Sequence, residues 1–251
     1  MSEAERPRRG SRTRFNRRDQ TLLWGLIGLA AAAILGAVVA ILVTRPAPDQ
    51  RNFNVVPRSL DLWSVYSDGR VRFVTLFYPD ESTVAEGQPQ QVTAAGPLVW
   101  AAGDVLSSRV IGGSQQHVEL HPGPGQDADK LYQLFNLERQ AGSGPYGVDV
   151  VTTRSPYLTD MGNGTSVLSL GAEPQQVYAQ VIVAVALPRD TDPVVQGEPS
   201  LQPYRQARIG DWLVYYFDTT QVAAGDAIRV EYTPGSLFPD SLDPGAVDRR
   251  R

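Results

Sequence analysis

The two histidines of the chain lie in one heptapeptide at residues 116–122, QHVELHP. Side chains alternate across a strand, so an extended backbone here would put His117, Glu119 and His121 on one side. Two imidazoles and a carboxylate are a donor set for zinc or iron, held at about 2.0–2.2 Å. The rival reading is that Val118 and Leu120 face a core, and the three polar residues face water as on any half-buried strand. The sequence favours this second reading. The expected cofactor is therefore none, with zinc or iron on His117, Glu119 and His121 as the alternative. The order also differs from the helical HExxH of zinc proteases.

The remaining chemistry is sparse. Asp190 and Asp192 could help to hold calcium, but no third carboxylate follows at loop spacing, and a plain turn explains them. Asn163, Gly164 and Thr165 fit the glycosylation triplet and serve a turn equally well. No serine sits in a GxSxG elbow, and no glycine-rich phosphate loop is present. The chain has no cysteine, which excludes disulfides, thiolate nucleophiles and thiolate-bound metal. Trp63, Trp100 and Trp212 could stack on sugar rings if exposed, although aromatic residues in strands are more often core.

The elements that would position these groups read as short strands. Residues 60–78 carry two apolar runs around Asp68-Gly69, a pair suited to a tight hairpin turn. A two-residue loop would pair Tyr66 with Val71 and place Leu60, Leu62, Tyr66, Val71, Phe73 and Phe77 on one core face. A three-residue loop with a bulge at Gly69 would shift one strand's register. Residues 80–91 read as loop. Residues 98–101, 105–111, 147–153, 165–170, 212–217 and 227–232 read as strands. Residues 176–187, QVYAQVIVAVAL, are apolar on both faces and predict a central strand, ended by Pro188. Residues 127–139 are ambiguous; a helix capped by Asp127, with Leu131, Leu134 and Phe135 on one face, is favoured over a strand.

One stretch governs the whole plan. Residues 21–44 carry no charge over 24 positions, which as a helix spans about 36 Å, enough to cross a bilayer. Residues 1–20 hold seven arginines against Glu3, Glu5 and Asp19, so the tail is +4. Positive charge stays on the cytoplasmic side, which puts the N-terminus inside and the rest outside. The apolar run is too long for a cleaved signal peptide and lacks a small-x-small site. Gly28, Ala32, Gly36 and Ala40 form a thin stripe that would admit a neighbouring helix, though an alanine-rich span produces such stripes by chance.

The whole chain is at −4, so the part beyond the tail is at −8. That acidity disfavours nucleic acid as a partner. The expected organisation is a basic cytoplasmic tail at 1–20, a membrane helix at 21–44, a proline-containing spacer at 45–57, an external domain at 58–234 and a disordered tail at 235–251. The expected fold is mainly β: an antiparallel sandwich, Ig-like or jelly-roll-like, with at most one short helix. The favoured function is a single-pass, membrane-anchored, extracytoplasmic binding or scaffold module of an envelope complex, and not an enzyme. Its partners would be the membrane, through 21–44, and a membrane or envelope protein. The alternative is a tethered metal-binding protein or metalloenzyme.

Overall fold

The computed structural model describes residues 58–81, 84–171, 180–197, 201–220, 222 and 226–249. The chain divides into two units, Met1–Phe53 and Asn54–Arg251. The first lies outside the described residues, and with it the tail, the apolar span at 21–44, the Gly28/Ala32/Gly36/Ala40 stripe and most of the spacer. Among the described residues no helix is long and apolar enough to cross a membrane.

The second unit is mainly β, with fourteen strands and one short helix among the described residues. A seven-stranded sheet holds β1 (Arg58–Val65), β2 (Val71–Tyr78), β4 (Val105–Ile111), β7 (Tyr146–Thr152), β10 (Gln180–Pro188), β12 (Arg205–Ile209) and β13 (Trp212–Asp218). Their order is β12-β13-β10-β1-β2-β7-β4. A four-stranded sheet joins β8 (Leu158–Asp160), β9 (Ser166–Gly171), β11 (Val194–Gly197) and β14 (Ala227–Tyr232). A three-stranded sheet places β6 (Leu131–Gln140) between β3 (Pro89–Ala95) and β5 (Ser114–Pro122). The pairings are antiparallel except for β1 with β10. That parallel pair joins strands far apart in sequence, so its crossover contains β2 to β9.

β10 behaves as its composition requires. Val183, Val185 and Leu187 enter one apolar cluster; Ile182, Ala184 and Ala186 enter another on the opposite face. A strand apolar on both sides is stable only when both sides are covered, and β10 lies inside the seven-stranded sheet. The first cluster also takes Phe135 and Leu137 from β6, and Leu168, Ile228 and Val230 from β9 and β14, so it is built from all three sheets. In β14, Ile228, Val230 and Tyr232 are buried while Arg229 is exposed, as the alternation predicts.

The β1–β2 hairpin takes the three-residue form. Tyr66 N–H donates to the Arg70 carbonyl (2.9 Å), Gly69 N–H donates to the Tyr66 carbonyl (3.0 Å), and Gly69 has φ +82°. Val65 therefore pairs with Val71 and Trp63 with Phe73. The single core face expected from a two-residue loop is split: Val71 and Phe73 join Trp63 on one side, while Leu60, Leu62 and Tyr66 lie on the other. A one-residue slip exchanges faces, and here both faces are buried.

Three further expectations are corrected. Residues 127–139 do not form a helix. Asp127 ends a 3-10 turn and pairs with Lys130, and β6 follows. The strand prevails because β3 and β5 take up its backbone groups on both edges, while Phe135, Leu137 and Arg139 are buried from one face. Residues 98–101 give only an isolated bridge, Val99 to Leu131, and no strand.

The C-terminal stretch, expected to be disordered from 235, packs down as far as it is described. Leu242 and Val247 join the second cluster, and helix α1 (Pro244–Arg249) buries Val247 completely, at 0% exposure. Backbone carbonyls along the stretch accept from Ser67, Trp212, Tyr216 and Arg72. Composition predicts a tail because the stretch is short, polar and proline-bearing. Docking is stable because the outer face of the seven-stranded sheet supplies the missing apolar contacts.

Candidate functional site

The histidine strand is β5, at the edge of the three-stranded sheet. A register shift between Gln115 and His117 marks a bulge, and beyond it His117, Glu119 and His121 stand opposite Asn136, Leu134 and Tyr132. The three residues do share a face. His117 Nε2 lies 3.3 Å from Glu119 Oε1, and His121 Nε2 lies 2.9 Å from Glu119 Oε2. The His121 ring also stacks on Tyr132, with centroids 5.6 Å apart.

Each imidazole thus turns the same ring nitrogen to one carboxylate. An Nε2–H that donates to Glu119 has no lone pair there for a metal, so only Nδ1 would remain for coordination. Among the described residues, no group of three or more His, Asp or Glu side chains is arranged to hold a metal ion. The expectation that Val118 and Leu120 both face a core holds for Val118, which packs against the first cluster. Leu120 is 49% exposed, because β5 is an edge strand with little above it.

A cleft of about 380 Å³ opens elsewhere, at the tip of the β1–β2 hairpin. Its walls include Tyr66, Asp68, Trp100, Arg154, Asp160 and Tyr232. These come from the hairpin turn, the loop before β4, the segment between β7 and β8, the end of β8 and the end of β14. Tyr66 and Tyr232 are buried. Burial pushes the Tyr232 hydroxyl up to about 12, against a hydrogen bond with Ser166, so it remains a neutral donor. Asp68 is paired with Arg70.

Trp100 separates from the other candidate tryptophans. Trp63 and Trp212 are 7% and 3% exposed, and each packs on an aromatic neighbour: Trp63 on Phe73, Trp212 on Tyr66. Trp100 is 43% exposed at the cleft, with Lys130 Nζ 5.3 Å from its ring centroid. Sequence reasoning named Trp100 but missed Arg154, Asp160, Tyr66 and Tyr232 as its companions. They lie in separate segments, and no local spacing relates them.

Two other charged groups are structural. Asp149 is buried and accepts from Arg72 Nε and Nη2, both at 2.8 Å, and from Arg109 Nε at 2.8 Å. Burial works against its ionisation, and the two guanidinium groups outweigh it, so its carboxyl is held below the ordinary value. Asp190, a calcium candidate by sequence, instead accepts from the backbone N–H groups of Ser236 (2.6 Å) and Leu237 (2.9 Å). It fastens the C-terminal stretch. Asn163 accepts from Thr165 N–H (3.0 Å) in an exposed turn, and Gly164 there has φ +83°.

No family model and no curated protein matches the chain. Among solved structures it is similar to a suspected protease of Parabacteroides distasonis at 9% identity, with a TM-score of 0.31. That likeness covers 70% of this chain and 39% of the other. It is also similar to two structures of an M1 zinc metallopeptidase of Deinococcus radiodurans at 13% identity, with TM-scores of 0.30 and 0.31. The chain spans about half of that protein's length, 51%, while 77% of this chain is covered. Likeness at this level carries no inference about activity.

Proposed function

We propose that the chain is a single-pass, membrane-anchored protein whose external β-sandwich is a non-catalytic binding or scaffold module of a membrane or cell-envelope complex. The observation that carries this reading is the sequence of residues 1–44: an uncharged run of 24 residues behind a tail of +4, joined to a β-rich body. In this reading the N-terminus is cytoplasmic and residues 58–234 are extracytoplasmic. The 45–57 spacer, with three prolines, sets the body off the bilayer. The small-residue stripe gives a partner helix a place to pack. Reporter fusions at both ends test the topology, and affinity capture from gently solubilised membranes tests the partner. A C-terminal reporter active in the cytosol, or a lone monomer at native abundance, removes the support for this reading.

A second reading has one observation in its favour. His117 and His121 flank Glu119 on one strand face, within 3.3 and 2.9 Å of its carboxylate. Zinc or iron binding there is tested by equilibrium dialysis of the full chain and of His117→Ala and His121→Ala. Metal retained equally by all three proteins rejects it.

A further inference from the structure

We propose that the cleft at the β1–β2 hairpin binds a carbohydrate, with Trp100 stacking on a pyranose face and Arg154 and Asp160 bonding to its hydroxyls. The inference rests on the binding-module reading and names its ligand class.

Three features of the cleft converge. Trp100 presents 43% of its surface, whereas Trp63 and Trp212 are taken into the core. Lys130, itself paired with Asp127, sits 5.3 Å from the Trp100 ring centroid and helps to fix the ring's orientation before any ligand arrives. An oriented aromatic plane that is partly open to water suits the C–H face of a sugar ring.

The polar walls supply complementary hydrogen bonding. Arg154 is exposed and has no ion pair among the described residues, so its guanidinium donors are available. Asp160 accepts the Gly162 N–H through one oxygen (2.9 Å), which leaves its second oxygen for a ligand hydroxyl. Sugar hydroxyls both donate and accept, so a guanidinium and a carboxylate on one cleft can serve neighbouring hydroxyls. A phosphate-bearing ligand would meet the Asp160 carboxylate beside Arg154, which works against it. The volume, about 380 Å³, suits a mono- or disaccharide unit of a longer glycan.

The test is calorimetric titration of the full chain, held in a detergent without sugar headgroups, with chitotriose, cellotriose and maltotriose at millimolar concentration. At least one should bind. That binding should weaken roughly tenfold or more in Trp100→Ala and in Arg154→Ala, and persist in Trp100→Phe and His121→Ala. Thermal melts confirm that the variants fold, and Arg154→Ala reads the site independently if Trp100→Ala does not fold. No binding of any of the three sugars, or binding that Trp100→Ala leaves unchanged, overturns the proposal. If a protein partner co-purifies while no sugar binds, only the ligand class falls. If neither is seen, the binding-module reading falls with it.

Discussion

Replacing Asp61 with asparagine should stabilise the protein at neutral and alkaline pH, and the gain should vanish in acid. Asp61 lies in β1, between Thr75 of β2 and Val183 of β10. Burial pushes its carboxyl from 3.8 up to about 6, and a hydrogen bond from Thr75 pulls the other way. The folded state therefore binds this proton more tightly than the unfolded chain does. Stability from this group is fully present below the unfolded value and is lost as pH rises through the folded value, between 3.8 and about 6. A rise of this size corresponds to about 3 kcal/mol at most. Asp61 is only partly buried, so solvent screening brings the expected effect to about 1–2 kcal/mol. Asparagine keeps the shape and the bond to Thr75 but carries no charge. Urea unfolding of both proteins should differ by that amount near about pH 8 and converge near about pH 4. A difference independent of pH, or a less stable variant at about pH 8, would refute the reasoning.

Other perturbations have equally definite outcomes. Asp149→Asn strands the buried guanidinium of Arg72 and should lower stability by about 3–5 kcal/mol in chemical denaturation; an unchanged midpoint would mean that the pair contributes nothing. Because the Asp149 carboxyl is held below its ordinary value, the stability it supplies is present above that value and is lost on acidification; the wild-type advantage over Asp149→Asn should therefore shrink in acid. Gly147→Ala would set a Cβ 1.8 Å from the Thr75 carbonyl oxygen, so β2 and β7 could not pair as they do. Its soluble yield and melting temperature should fall sharply, and a normal melt would show that the strands can part at little penalty. Leu242→Ala should cost about 2–5 kcal/mol and speed proteolysis of the last fifteen or so residues, if the C-terminal stretch is docked as described.

Legibility in the sequence followed the range of the interactions. Alternation marked β14, because a side chain's face depends only on its parity along the strand, and an unbroken apolar run marked the central strand β10. The β1–β2 turn was legible at Asp68-Gly69, but its register was not. Two- and three-residue loops differ by one peptide, and both faces of this hairpin happen to be apolar. At 131–140 local pattern favoured the wrong element, since the strand's backbone is satisfied by β5, the strand just before it, and by the more distant β3, and nothing within 127–139 records either partner. The histidine trio was placed on one face correctly from spacing alone. That its carboxylate engages both imidazoles could not be read from it.

By itself, the sequence determined the mainly β character, the central place of β10, the acidity of the body and the charge and length of the N-terminal run; each is a property of neighbouring residues. Only the tertiary structure decided the parallel pairing of β1 with β10, the docking of the C-terminal stretch and the gathering of Tyr66, Trp100, Arg154, Asp160 and Tyr232 around one cleft. These depend on backbone and side-chain groups that meet across distant parts of the chain, and no local pattern records which distant surface will cover which.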